Sequence, residues 1–229
     1  MNQDFAYSYS NLTFKEYLSK TFLLVACGLA ISTLLGFLVS NNLQLFFGLV
    51  GRGYILLVIA ELAIVIYFSS RIMKMSKTAA YACFFAYSIL NGINLSAIFA
   101  VYDFGSIVYA LGMTTVLFVC MSIIGHTTNV DLTKFSSLIF VGLIVIIIGG
   151  LINFLLRSSL FDWILSCFGV VLFLGLTAYD MQKIRHIYNE TFSDSELSSK
   201  MIVYGALELY LDFINIFIRI LSIFGRRKN

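Results

Sequence analysis

Seven long apolar stretches dominate the hydrophobic pattern of this 229-residue chain. A helix needs about 20 predominantly apolar residues to cross a hydrocarbon core of about 30 Å. The stretches cover residues 21–39, 53–70, 78–101, 104–125, 135–156, 161–179 and 201–224, and short connections join them. The pattern therefore predicts an all-α integral membrane protein, a single transmembrane domain over residues 1–229 with seven transmembrane helices.

The seventh stretch carries far more polar residues than a membrane helix needs. Residues three or four positions apart share one face of a helix, so a polar stripe is formed by Tyr204, Glu208, Asp212, Asn215 and Arg219. A charge at bilayer depth costs at least a few kcal/mol, and lipid cannot satisfy the stripe. We therefore expect helix seven to be central, wrapped by helices one to six.

The alternating direction of successive helices brings further ionisable residues to the same membrane face. Arg71 ends the second stretch and Asp180 ends the sixth, on the side where the seventh begins. We expect Asp180 and Asp212 to meet there and share a proton, with Arg71 as a counter-ion. Two simpler explanations stay open: Asp180 marks a helix end in the headgroup zone, and Arg71 is an interfacial anchor.

Glu61 is a further acidic residue at bilayer depth, in the middle of the second stretch. Together with Glu208, Asn215 and Arg219, it is a candidate pore or supporting residue. The polar connection 181–200 contains Ser193 followed by Glu196, a spacing that predicts a capping box leading into the last helix.

Composition supports the membrane assignment and excludes several kinds of site. The chain is 60% hydrophobic and 12% charged, with a mean hydropathy of +0.94, far from the composition of soluble domains. Its four cysteines fall in four different stretches without paired spacing, so we expect no metal site and no disulfide framework. No catalytic residue, cofactor or nucleic-acid partner is expected. The lipid bilayer is expected to surround most of the chain.

The distribution of Lys and Arg predicts the orientation. With seven spans, the side that holds the N-terminus carries more of them, which favours a cytoplasmic N-terminus in a bacterial inner membrane. The basic tail Arg226, Arg227 and Lys228 would then lie outside, against the same rule. A seventh helix that re-enters without crossing, which would return the C-terminus to the cytoplasm, therefore stays open.

Two motifs resemble those of the Bax inhibitor family, the transmembrane Bax-inhibitor-motif proteins. They are Leu-Gly-Leu-Thr-Ala-Tyr-Asp-Met-Gln at 174–182 and Tyr-Gly-Ala-Leu-Glu-Leu-Tyr-Leu-Asp-Phe-Ile-Asn at 204–215. The resemblance implies seven helices with the last one central, and a pH-sensitive calcium leak channel. It also implies that Asp180 and Asp212 share a proton, that Arg71 acts as a latch and that Glu61 matches an acidic pore residue.

Three functions compete at this point. The leading hypothesis is a calcium-permeable leak channel, closed while Asp180 and Asp212 share a proton, with Ca²⁺ and protons as its ligands. An intramembrane aspartyl protease is less favoured, because such enzymes carry Gly-x-Gly-Asp where this chain has Leu-Tyr-Leu-Asp at 209–212, and the chain has no proline. The third is a regulatory protein that binds a membrane protease or another channel as its partner.

Overall fold

Seven long helices form the protein in the computed structural model, which describes residues 12–51 and 53–228. Helices one to seven are, in order, Phe14–Ser40, Tyr54–Arg71, Lys77–Val101, Phe104–Thr127, Ser136–Leu156, Ser159–Thr191 and Ser195–Phe224. Seven helical segments of the described chain are long and apolar enough to cross a membrane. This confirms the prediction of an all-α membrane protein with seven transmembrane helices.

Side-chain caps fix several of the helix starts. Helix one begins with a capping box, in which Thr13 accepts from the Glu16 backbone N–H and the Glu16 carboxylate accepts from the Thr13 backbone N–H. Ser76 caps helix three by accepting from the Ala79 backbone N–H, and Asp103 caps helix four by accepting from the N–H groups of Gly105 and Ser106. Such caps satisfy backbone N–H groups that the first helical turn leaves without partners.

The connection before helix seven is much shorter than predicted. Helix six continues past residue 179 to Thr191, so only residues 192–194 separate it from helix seven. The cap of helix seven is Asp194, whose Oδ1 accepts from the backbone N–H groups of Glu196 and Leu197 at 3.0 and 2.9 Å. The predicted capping box at Ser193 is therefore wrong, because the carboxylate of the next residue occupies the capping position.

Helix seven is the most buried helix of the described chain. In its most apolar stretch 72% of the residues are buried, against at most 44% in any other helix. It packs against helices one, three, four and six, whereas helix two packs mainly on helix three and helix five on helix six. The apolar face opposite the polar stripe is buried, whereas within the stripe Asp212 is buried and the other four residues are half-buried. A complete ring of six helices around it stays a prediction.

Small residues and a buried polar network hold helices one, three and seven together. A Cβ added at Gly92 of helix three would lie 2.9 Å from the Cα of Ser32 in helix one, so the two backbones are in close contact. The Tyr210 hydroxyl of helix seven lies 2.5 Å from Ser32 Oγ and donates to Asn91 Oδ1 at 3.1 Å. Ser32 also donates to the Ser88 carbonyl oxygen at 2.7 Å.

The C-terminal tail lies at the end of the bundle opposite the connection between helices six and seven. The Asp103 N–H donates to the Arg226 carbonyl oxygen at 2.9 Å, and the Lys228 N–H donates to the Val101 carbonyl oxygen at 2.8 Å. These bonds attach the tail to the connection between helices three and four. A re-entrant seventh helix is therefore wrong, because the helix runs through the whole bundle.

Replacement of Gly92 by alanine tests the close contact of helices one and three. We expect Gly92→Ala to lower the free energy of unfolding by about 1–3 kcal/mol, the usual range for overpacking, because the new methyl group meets backbone that cannot rotate away. The matched control is Gly112→Ala, since a Cβ at Gly112 meets nothing within 4 Å. Thermal unfolding in detergent would contradict this packing if both variants melted at the same temperature.

Candidate functional site

Asp180 of helix six and Asp212 of helix seven form a buried pair. Their exposed fractions are 5% and 1%, and their carboxyl groups lie within hydrogen-bonding reach of each other. Two ionised carboxylates only accept hydrogen bonds, so a bond between them needs a proton on one of the two. A hydrogen bond between Asp180 and Asp212 therefore requires one protonated carboxyl group.

Glu208 adds a third carboxyl group one helical turn before Asp212. Its Oε1 lies 2.5 Å from the Lys183 ammonium of helix six, which also donates to the Tyr204 hydroxyl at 3.0 Å. Glu208 Oε2 and Asp212 Oδ2 are buried and have no hydrogen-bond partner among the described residues. We call Asp180, Glu208 and Asp212 the acidic cluster, and Lys183 is its cation.

The charges of the acidic cluster do not balance when all three carboxyl groups are ionised. Asp180 and Asp212 both face the charge of Glu208, and Asp180 also faces Lys183. One ammonium group pairs with Glu208 and leaves the aspartate pair without a full counter-charge. Burial of an unpaired charge is costly, so a proton on the pair is the state that this arrangement favours.

Thr177 is a neighbour of the pair that the sequence analysis did not include. Its hydroxyl donates to the Phe173 carbonyl oxygen at 2.8 Å and lies within reach of Asp212. A hydroxyl has one proton and two acceptor sites, so a protonated Asp212 can donate to it. Threonines in membrane helices commonly donate to a carbonyl group of their own helix. The sequence therefore gives no sign that Thr177 also lies beside Asp212.

The structure places Lys183, and not Arg71, beside the acidic cluster. Arg71 is exposed at the end of helix two and forms no ion pair with the described acidic residues. The sequence pattern predicts that helix six ends at residue 179, so Lys183 is not expected beside the aspartates from the sequence. With the helix continued, Lys183 is three positions after Asp180 and shares its face.

Glu61 belongs to a different polar group. It lies beside the amides of Asn91 and Asn94 of helix three, and its Oε1 is buried without a hydrogen-bond partner among the described residues. The charges that act on Asp180 and Asp212 do not include Glu61. Glu61 of helix two therefore lies against helix three, separate from the acidic cluster.

Asn215 and Arg219 lie beyond the acidic cluster along helix seven. Asn215 Nδ2 donates to the Leu211 carbonyl oxygen of its own helix at 2.8 Å. The Arg219 side chain packs over Gly169 of helix six, where an added Cβ would lie 3.1 Å from Arg219 Cδ. The Arg219 guanidinium also faces the charge of Asp162. The polar stripe thus has two parts. Glu208 and Asp212 belong to the acidic cluster, whereas Arg219 lies near Asp162 toward the other end of the bundle.

Comparison with known proteins gives consistent matches over most of the chain. The family model described as "Inhibitor of apoptosis-promoting Bax1" matches residues 14–229. A protein of Borreliella burgdorferi is 39% identical over 217 residues, which covers 93% of each chain. The inner membrane protein YbhL of Escherichia coli is 42% identical over 173 residues, 75% of this chain and 74% of its own length. A membrane protein of Streptococcus pyogenes is 32% identical over 229 residues, 99% of each chain. The chain therefore belongs to the Bax inhibitor family of membrane proteins.

Proposed function

We propose that this protein is a calcium-permeable leak channel whose opening is controlled by the proton shared between Asp180 and Asp212. The observation that carries the proposal is the aspartate pair itself, 5% and 1% exposed and adjacent to Glu208, with Lys183 as the nearby cation. Such a group has one favourable closed state, in which a proton joins the two helices. Loss of that proton places two like charges in contact.

Repulsion between the ionised aspartates separates helices six and seven at the level of the cluster. At an effective dielectric constant of about 20, two unit charges about 4 Å apart repel by about 4 kcal/mol, enough to shift a two-state equilibrium strongly. Separation exposes three carboxylates, and hard divalent cations such as Ca²⁺ prefer oxygen ligands. The same event therefore opens a path and supplies acidic groups that attract the permeant ion.

The acidic cluster senses the pH of the side that holds the N-terminus. Asp180 lies 11 residues before the end of helix six at Thr191, and the connection 192–194 follows on that side. The excess of Lys and Arg on the same side favours a cytoplasmic location. The E. coli relative is an inner membrane protein. We therefore propose that the channel lies in the bacterial inner membrane with a cytoplasmic N-terminus and responds to cytoplasmic pH.

A channel fits the cluster better than an enzyme. The sequence Leu-Tyr-Leu-Asp at 209–212 lacks the Gly-x-Gly-Asp of intramembrane aspartyl proteases. Asp212 is 1% exposed, so a peptide cannot reach its carboxyl group in this conformation. A regulatory protein that acts only on a partner would give no calcium flux when purified, and reconstitution separates that function from the channel.

Calcium flux into liposomes that carry the purified protein tests the proposal directly. We expect the wild-type flux to rise as the pH is raised through the range in which the pair loses its proton. Asp180→Asn and Asp212→Asn should each remove the pH dependence, because an amide cannot lose the shared proton. Asp131→Asn is the matched control, since Asp131 is exposed and lies outside the acidic cluster.

Two results would contradict the channel proposal. The first is an absence of calcium flux from wild-type protein at every pH, with folding verified by thermal unfolding. The second is a pH response that is the same in the wild type, Asp180→Asn and Asp212→Asn. The Asp131→Asn control must keep the wild-type pH response for either comparison to be drawn.

Replacement of the two candidate cations by the same residue distinguishes their roles. Lys183→Gln removes the positive charge 2.5 Å from Glu208, so ionisation of the neighbouring aspartates becomes less favourable. We expect its flux to activate at higher pH than the wild type, whereas Arg71→Gln should activate at nearly the wild-type pH. A larger shift in Arg71→Gln would show that Arg71 joins the cluster in another conformation.

A further inference from the structure

An apolar groove opens between helices four, five and six, apart from the acidic cluster. Its volume is about 470 Å³, within the range of ligand-binding clefts. On helix six the lining extends from Phe168 to Tyr179, which corresponds to about 17 Å at 1.5 Å per residue. This is close to half of a hydrocarbon core of about 30 Å, and therefore to the depth of one leaflet.

Basic residues collect at the end of the groove on the side that holds the N-terminus. Lys134 is exposed between Leu132 and Phe135, two residues that line the groove. Arg185 and His186 are exposed on helix six, seven positions after Ala178 and Tyr179 of the lining, and so on the same face two turns further on. The groove therefore ends at a surface with three basic side chains.

Among the described residues, two acidic side chains lie near the same end: Asp131 beside the lining, and Glu190 one helical turn beyond His186. Asp131 is exposed and faces the charges of Lys134 and His186. Its Oδ1 accepts from the Thr133 hydroxyl at 2.6 Å and from the Thr133 backbone N–H at 3.0 Å, and these bonds lower the pKa of Asp131. Because Glu190 lies further from the lining, Lys134, Arg185 and His186 outnumber the carboxylate beside it, that of Asp131.

Hydrogen bonds hold the connection between helices four and five against helix six. Gln182 Nε2 donates to the Val130 carbonyl oxygen at 2.9 Å, and the Leu132 N–H donates to Gln182 Oε1 at 2.8 Å. Arg185 donates to the His126 carbonyl oxygen at 3.3 Å. A guanidinium has five N–H donors, so Arg185 keeps others for a ligand. The position of Lys134 relative to Arg185 is thereby fixed by the fold.

We propose that this groove binds one anionic phospholipid, with an acyl chain between helices four, five and six and its phosphate at Lys134, Arg185 and His186. The length of the groove matches one leaflet, and the basic end is where the headgroup of that leaflet would lie. Basic pockets between membrane helices on the cytoplasmic side are favourable sites for anionic headgroups. A zwitterionic lipid fits the apolar part but gains less from the basic end.

Two glycines provide a matched pair of variants for the acyl-chain part. Gly175 lines the groove and Gly150 of helix five does not, and a Cβ at either position meets nothing within 4 Å. Gly175→Leu therefore adds an apolar side chain to the groove with its Cβ in open space, and Gly150→Leu adds the same side chain on helix five outside the groove. Native mass spectrometry of the delipidated, full-length protein can then measure binding of phosphatidylglycerol and phosphatidylcholine with identical acyl chains.

We expect the wild type to retain one phosphatidylglycerol several-fold more tightly than one phosphatidylcholine. Gly175→Leu should weaken both lipids several-fold, and Gly150→Leu should not. The double variant Lys134→Gln, Arg185→Gln should reduce the affinity for phosphatidylglycerol to that for phosphatidylcholine. The matched control is Lys74→Gln, Lys77→Gln, which removes the same charge from the same membrane side near helices two and three and should keep the preference.

Three results would overturn the lipid site. The first is equal binding of the two lipids by the wild type. The second is equal lipid retention by Gly175→Leu and Gly150→Leu. The third is an equal loss of the phosphatidylglycerol preference in the two double-charge variants, which would indicate a general surface charge effect. All four residues replaced for charge are exposed, but Arg185 also donates to the His126 carbonyl oxygen. Thermal unfolding of the two double-charge variants must therefore match before their lipid binding is compared.

Discussion

The structure depends on the cost of carrying ionisable side chains through a layer that cannot solvate them. Helix seven contains Glu208, Asp212 and Arg219, and none of these can face lipid without a penalty of several kcal/mol. Burial of helix seven against helices one, three, four and six provides polar partners and excludes lipid. The helix that carries these three residues within its apolar stretch 201–224 is therefore also the one most enclosed by protein.

Burial alone does not solve the problem, because each enclosed charge also needs a partner. Arg219 faces Asp162 at one end of the bundle, and Glu208 pairs with Lys183 near the other. Asp180 and Asp212 are left without a comparable cation, so a shared proton is the remaining way to reduce their charge. The proposed proton sensitivity would follow from this imbalance without any additional element. The shared proton that we propose would also link helices six and seven through a bond that exists in one protonation state only.

The sequence predicted the elements of this fold well, because hydrophobic stretches about 20 residues long have few alternatives in a membrane. It also predicted that Asp180 and Asp212 approach each other, since the alternation of helices fixes which side each residue reaches. The cation was not predicted, because it depends on where helix six ends: residues 180–191 are too polar for a span, yet remain helical. Arg71, chosen from its position at the end of helix two, lies exposed in this structure.

Infrared difference spectroscopy of the carboxyl groups tests the shared proton most directly. The account predicts that the wild type, in lipid and near neutral pH, shows a band of a protonated carboxylic acid that disappears as the pH is raised. Because buried Glu61 can contribute a band of its own, the comparison is the difference between wild type and Asp180→Asn, Asp212→Asn double-variant protein. The double variant should lose a band that the wild type and Asp131→Asn protein show. Identical carboxyl bands in the wild type and the double variant across the pH range would contradict the account.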